Sequence, residues 1–410
     1  MKRIQLIPPK QIIDVTIQLP SSKSICNRAL IINALAHGNT QPENLSDCDD
    51  TQVMIRALTN MPPTIDIHAA GTAMRFLTAY LAVTEGTHVI TGTERMQQRP
   101  IRILVDALRS LGAEIEYTKN EGYPPLKING RQLTGSEISL PGNVSSQYIS
   151  ALLMIAPTQK KGLQLTLTGD IISRPYIDLT LELMRQFGAK AQWTDNNRLK
   201  VDTGGYQPRR FTVESDWSAA SYWYEIVSLS EQAAVRLPRL SEHSLQGDSK
   251  VAELFGLLGV STTYLSDEVI LRKEGETVSR LEYDFINQPD LAQTFVVTCA
   301  MLNVPFRFTG LQSLKIKETD RISALMAEMK KLGYVLTENN GSELSWEGER
   351  CEADTNPAID TYEDHRMAMA FAPAILRLKN LRINHPEVVS KSYPHYWENL
   401  SAAGFGIIEE

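Results

Sequence analysis

The sequence predicts an α/β protein of two similar domains, each assembled from three copies of a small repeat. Two independent markers carry this expectation. Amphipathic segments that end in apolar-Gly-apolar place glycines at Gly112, Gly188, Gly259, Gly333 and Gly404, spaced 71 to 76 residues apart. A second set of segments is apolar nearly all round, and such a helix must be buried on every side. These begin at Ser22, Gly71, Ser145, Ser215, Pro289 and Glu363, with starts 49, 74, 70, 74 and 74 residues apart. Both markers give a period of about 73 residues with a shortened first unit. That is too long for a solenoid, whose repeats run roughly 20–50 residues.

Each element has a local reason. A glycine after the last turn of LRSLGAEI, MRQFGAKA, FGLLGVST, MKKLGYVL and LSAAGFGI suits the left-handed residue that closes a helix. Strand-like runs such as LQLTLTG and VRLPRL separate the helices. Ser, Thr, Gly, Asp or Asn stands at the start of each apolar helix, where such residues satisfy unpaired backbone N–H groups. Capping does not explain the cations beside them. Lys23 and Arg28 flank the first start, Arg75 follows Thr72, and His365 and Arg366 follow Asp364. A cation at a helix N-terminus opposes the macrodipole by roughly 0.3–1 kcal/mol. An anion held there by N–H groups and Lys or Arg offsets that cost.

Loops entering the amphipathic helices repeat the pattern. They carry Arg95 and Arg99, Ser173 and Arg174, Lys315, Lys317, Glu318 and Arg321, and finally Lys391. If these edges of the two domains face each other, they line a positive cleft suited to a ligand with several negative charges. Two carboxylates stand among them. An N-cap accounts for Asp290, and an ion pair for Glu318, as readily as proton transfer does.

The composition is that of an ordinary soluble globular protein: 410 residues, 42% hydrophobic, 22% charged, with 41 Lys and Arg against 48 Asp and Glu. A formal net charge of −7 argues against nucleic acid or an anionic membrane as partner. Cys26, Cys48, Cys299 and Cys351 form no C-x-x-C pair and sit near no spaced His pair, so no metal site is expected. The start MKRIQLIPPKQIID lacks a signal-peptide core, and no apolar run is long enough to span a bilayer. A cytoplasmic protein is expected.

PSSKSICNRAL, AGTAMRFLTA, SSQYISALLM, SRPYIDLTLELM, KETDRI and DHRMAMAFA, in that order, resemble the 5-enolpyruvylshikimate-3-phosphate synthase family from about Leu19 to Trp397. The resemblance implies two domains, each of three β-α-β-α-β-β units around buried parallel helices, an inside-out α/β barrel with the active site in the interdomain cleft. The crossovers would give one domain of residues 21–213 and a discontinuous second one of 1–20 with 214–410. The implied activity is transfer of the enolpyruvyl group of phosphoenolpyruvate to the 5-hydroxyl of shikimate 3-phosphate, through a tetrahedral intermediate, by a monomer without cofactor.

By resemblance, Lys23, Ser24, Arg28, Ser145, Ser146, Gln147, Ser173, Asp290 and Lys317 would hold shikimate 3-phosphate. Lys23, Gly71, Arg99, Gln147, Arg321, Arg366 and Lys391 would hold phosphoenolpyruvate, with Thr72, Arg75 and His365 behind them. Asp290 would take the hydroxyl proton, Glu318 would protonate the methylene carbon, and Lys23 would assist. Three positions depart from the family pattern: Ala69 and Ser313 replace Asn, and Phe76 replaces Pro. The UDP-N-acetylglucosamine enolpyruvyl transferases share the fold but usually carry a reactive Cys in the loop matching TERMQQR, where this chain has none. A non-catalytic phosphate-ligand sensor of the same fold would want degraded acid and base positions.

Overall fold

The computed structural model describes residues 2–38 and 41–410. Two units emerge from the pattern of contacts. One is continuous, Ser21–Glu214, and the other is discontinuous, Met1–Pro20 with Ser215–Glu410.

The continuous unit holds six helices: α1 (Lys23–Leu35), α2 (Asp49–Asn60), α3 (Gly71–Val83), α4 (Arg102–Ser110), α5 (Ser146–Ile155) and α6 (Arg174–Gln186). The discontinuous unit holds α7 (Trp217–Leu229), α8 (Val251–Gly256), α9 (Ala292–Met301), α10 (Arg321–Lys331), α11 (His365–Phe371) and α12 (Tyr396–Ala402). The odd-numbered helices are those the sequence makes apolar all round. All ten residues of α9 and all seven of α11 are buried, and in α7 only Ser218 is not. The rings of Phe255, Phe285, Phe295 and Phe308 fill the core of the discontinuous unit, at centroid separations of 4.5 to 5.5 Å.

Among the described residues, five four-stranded sheets cover the buried helices. The continuous unit has two. One orders Thr64–Asp66, Gly86–Thr91, Leu126–Gly130, Glu114–Tyr117, and the other Glu137–Pro141, Leu163–Thr168, Arg198–Val201, Ala191–Asp195. In each, the first two strands are parallel and joined across a buried helix, and an antiparallel hairpin completes the sheet. Among the described residues, the shortened first repeat has α1 and α2 but no such sheet. Its strand positions are reduced to one parallel bridge between Glu43 and Thr212.

The discontinuous unit has three sheets, and its N-terminal segment enters two of them. Arg3–Ile7 lies between Leu381–Asn384 and Gly406–Glu409, antiparallel to both. Ile13–Thr16 pairs in parallel with Ala233–Pro238. The whole continuous unit is thus inserted in the connection between two adjacent parallel strands.

Four of the five repeat glycines close their helices as expected. At Gly112, Gly188, Gly333 and Gly404, φ lies between 87° and 103°. The next residue's N–H reaches back in each case to the last turn, as Ala113 does to the Leu108 carbonyl at 2.9 Å. Gly259 differs: its φ is 81°, but it lies inside the strand Leu258–Tyr264, where the register shifts against the partner strand. There the glycine serves a β-bulge rather than a helix end.

Candidate active site

In the discontinuous unit, the candidate residues of α10, α11 and the loops before them converge on one carboxylate. The turn Pro289–Leu291 precedes α9, so Asp290 is not the helix cap and its side chain is directed elsewhere. Its Oδ1 accepts from Arg321 Nη1 at 3.1 Å and lies 3.6 Å from Lys317 Nζ. Its Oδ2 lies 3.0 Å from Arg366 Nη2. Arg366 Nη1 also donates to the Asp290 carbonyl at 3.3 Å and to the Tyr222 hydroxyl at 3.4 Å. Glu318 Oε2 accepts from Arg321 Nη2 at 2.9 Å, and its Oε1 lies 3.4 Å from Lys391 Nζ.

Behind this pair stands Asp364, fully buried. It accepts from Arg321 Nε at 2.7 Å and caps α11 by accepting the Arg366 N–H at 2.9 Å. His365, also buried, has Nδ1 3.8 Å from Asp364 Oδ1. Arg321 is 1% exposed and touches three carboxylates. Burial alone would raise the Asp290 carboxyl, but Arg366, Lys317 and Arg321 outweigh it and hold the group well below its ordinary range. Burial would likewise ease the proton off Arg321, and Asp364, Glu318 and Asp290 reverse that and bind it more tightly.

In the continuous unit the candidates gather at the starts of α1, α3 and α5. Lys23 Nζ lies 3.2 Å from Asp50 Oδ2, at the first turn of α2. Arg28 is buried. It donates to Thr180 Oγ1 at 2.7 Å, to the Ser24 carbonyl at 2.9 Å and to Ser150 Oγ at 3.2 Å, all neutral acceptors. Burial lowers its pKa to about 10. Its guanidinium carbon stands 5.3 Å from the ring centroid of Phe76, the residue replacing a family proline.

At the α3 start, Arg75 Nη1 donates to the Gly71 carbonyl at 2.8 Å. A Cβ at Gly71 would come within 2.6 Å of Arg99 Nη1 and 2.7 Å of Arg75 Nη1, so only glycine admits both guanidiniums there. Gln147 Nε2 donates to Thr72 Oγ1 at 3.0 Å, tying α5 to α3. Ser145 caps α5 by accepting the Gln147 N–H at 3.4 Å, and Ser146 is buried beside it. Ser173 precedes α6 with φ 54° and is buried.

Three loop cations are placed in neither group, and Arg95 among them is exposed. Lys315 pairs with Glu338 at 3.6 Å, and Arg174 lies 3.9 Å from the Trp193 ring centroid. Sequence reasoning singled out neither Asp50, Asp364 nor Tyr222 as a candidate, although each touches a candidate cation. A capping aspartate directly before His-Arg was the available signal for Asp364. Among the described residues, no group of three or more His, Cys, Asp and Glu side chains could hold a metal ion, and no helix is long and apolar enough to cross a membrane.

The chain resembles known proteins over nearly its full length. Residues 7–65 and 59–400 match the family model of EPSP synthase (3-phosphoshikimate 1-carboxyvinyltransferase). A 3-phosphoshikimate 1-carboxyvinyltransferase of Bacteroides fragilis is 67% identical over 99% of this chain and 98% of its own length. One from Shewanella pealeana is 35% identical over 98% and 99%. The fold matches a structure of EPSP synthase from Acinetobacter baumannii with a TM-score of 0.80, 22% identity and complete coverage of both chains. On the family match and these identities, the chain belongs to the EPSP synthase (3-phosphoshikimate 1-carboxyvinyltransferase) family.

Proposed function

We propose that the protein transfers the enolpyruvyl group of phosphoenolpyruvate to the 5-hydroxyl of shikimate 3-phosphate and releases phosphate. The observation that carries this reading is the pair of carboxylates, Asp290 and Glu318, held among Lys317, Arg321, Arg366 and Lys391. The reaction needs a base for the attacking hydroxyl, an acid for the methylene carbon and cations for a carboxylate and a phosphate.

Asp290 takes the 5-hydroxyl proton as that oxygen attacks C2 of phosphoenolpyruvate, and Glu318 delivers a proton to C3. The tetrahedral intermediate then loses the C3 proton and breaks its C2–O bond to phosphate, which restores the alkene. Asp290 ringed by three cations is a weak base. Incoming anions draw Arg366, Arg321 and Lys317 toward themselves, and the carboxylate regains proton affinity as they do. The substrates thereby switch on the base that consumes them.

Lys23, Ser24, Arg28, Ser145, Ser146, Gln147, Ser173 and Lys317 hold shikimate 3-phosphate in this reading. Gly71, Arg99, Arg321, Arg366 and Lys391 hold phosphoenolpyruvate together with Lys23 and Gln147. Thr72 orients Gln147, Arg75 packs against Gly71, and His365 supports Asp364. The setting of Arg28 supports its part: a buried guanidinium that meets only neutral acceptors is stabilised by an arriving phosphate. No step calls for a metal or a redox cofactor. The reading carries with it a cytoplasmic monomer, in keeping with free thiols at Cys26, Cys48, Cys299 and Cys351. The decisive assay mixes purified folded protein with both substrates and measures phosphate. Release that depends on both supports the reading, and no release overturns it.

A further inference from the structure

One buried carboxyl beside this cluster has no part in the reaction above. Asp248 lies in the turn Gly247–Lys250, ahead of α8, and is 3% exposed. Its Oδ2 accepts from the Ser218 hydroxyl in the first turn of α7, while its Oδ1 is buried without a hydrogen-bond partner. Gln246 holds the same turn against α7, accepting the Trp217 N–H at 3.0 Å and donating to the Ser215 carbonyl at 2.8 Å. One helical turn beyond Ser218, the Tyr222 hydroxyl meets Arg366, whose guanidinium grips Asp290. Ser218 and Tyr222, one turn apart on α7, thus anchor Asp248 and Arg366 to the same helix.

The charges that act on Asp248 come from several elements. Asp290 of the turn before α9 and Asp216 at the head of α7 oppose its ionisation, and Arg366 of α11 favours it. Tyr283, on the strand Leu281–Asp284, feels its charge and donates to Gln288 at 2.8 Å. On its own turn, Lys250 is half-buried and engaged with Glu253. Around Asp290, the cations Lys317, Arg321, Arg366 and Lys391 face the anions Asp290, Glu318 and Asp364, an excess of one positive charge. An ionised Asp248 cancels that excess, and a protonated one preserves it.

We propose that Asp248 is a positioning residue that sets the charge of the phosphoenolpyruvate site: neutral, it leaves the net positive charge around Arg366 intact for the incoming anion, and ionised, it offsets that charge and weakens anion binding. This rests on the transferase reading. Burial, with the Asp290 charge beside it, raises the Asp248 carboxyl to about 7, so the change of state falls near neutral pH. Anion binding then favours proton uptake at Asp248, and the two are linked reciprocally.

The test measures KM for phosphoenolpyruvate from pH 5.5 to 9 at saturating shikimate 3-phosphate, for the wild type and two variants. The wild-type KM is expected to rise roughly three- to tenfold through about pH 7, beyond the change shown by Asp248→Asn, whose side chain stays neutral. Ser218→Ala removes the hydroxyl that stabilises the ionised form, so its step moves to higher pH. A merely structural Asp248 would shift KM or stability equally at every pH. Superimposable profile shapes for wild type and Asp248→Asn overturn the inference while leaving the transferase reading intact. If Asp248→Asn does not fold, an unmoved step in Ser218→Ala overturns it instead. A wild type that releases no phosphate overturns both.

Discussion

Asp290 touches three cations, and in the proposed reaction it is the base. Asp290→Asn keeps the shape and removes the base. It is expected to lower kcat by roughly 10²–10⁴ while both substrates still bind, checked by single-turnover kinetics beside ligand titration. Glu318→Gln should lower kcat on the same scale, and exchange of solvent deuterium into the phosphoenolpyruvate methylene group should fall with it. A different carboxyl, Glu225 of α7, is fully buried, and neither of its oxygens has a partner. The nearby Thr298 hydroxyl donates instead to the Thr294 carbonyl at 2.7 Å. Burial therefore pushes Glu225 well above its ordinary value, with Thr298 only a partial offset. A raised folded pKa means stability is lost as pH climbs from the unfolded value toward the folded one. Glu225→Gln has no such loss, so its Tm relative to wild type should increase from pH 4.5 to pH 8 in thermal melts. The cations were legible in sequence because they recur at repeat positions, and the candidate carboxylates Asp290 and Glu318 because they stand among them. Asp364 and Asp50 were not, since Asp364 meets Arg321 across 43 residues and Asp50 meets Lys23 on another helix. Burial of that kind is decided by tertiary packing, which single positions do not announce.

Among the elements, the apolar helices were readable because a helix without a polar face has few places to go. Their glycine-ended companions were nearly as plain, yet Gly259 shows the limit of the pattern. The same apolar-Gly-apolar text that ends α4, α6, α10 and α12 there marks a bulge, because α8 stops earlier, at Gly256. That the described residues of the first repeat form no sheet of this kind accords with its spacing of 49 residues where the others are 70 or 74. Gly130 ends a strand of the continuous unit where a Cβ would stand 1.6 Å from the Thr84 carbonyl oxygen. Backbone has to move to admit it, so Gly130→Ala should cost roughly 3 kcal/mol in denaturant unfolding. Gly169, with φ 71° and nothing within 4 Å, is the control. Alanine there should cost only about 1 kcal/mol, for left-handed backbone alone.

At the scale of the molecule, a net charge of −7 coexists with a local excess of cations. Polyanions are repelled in bulk while small anions are drawn to particular groups. Both substrates' KM values should therefore rise several-fold as ionic strength goes from about 0.05 to about 0.5 M, with kcat less affected, in initial-rate assays. The order of the chain adds something that static packing does not. Arg3–Ile7 is an inner strand whose two neighbours are Leu381–Asn384 and Gly406–Glu409, near the other end. During synthesis that strand emerges well before either neighbour and stays unpaired until Leu381–Asn384 and Gly406–Glu409 have followed. Ser21–Glu214, uninterrupted, has its own partners much sooner. Nascent chains arrested after Glu214 should already resist protease over Ser21–Glu214 while the leading segment is cut. Maturation of the discontinuous unit then depends on Gly406–Glu409, so truncation before Gly406 leaves a half-folded product with an open strand edge, a substrate for chaperones and for aggregation.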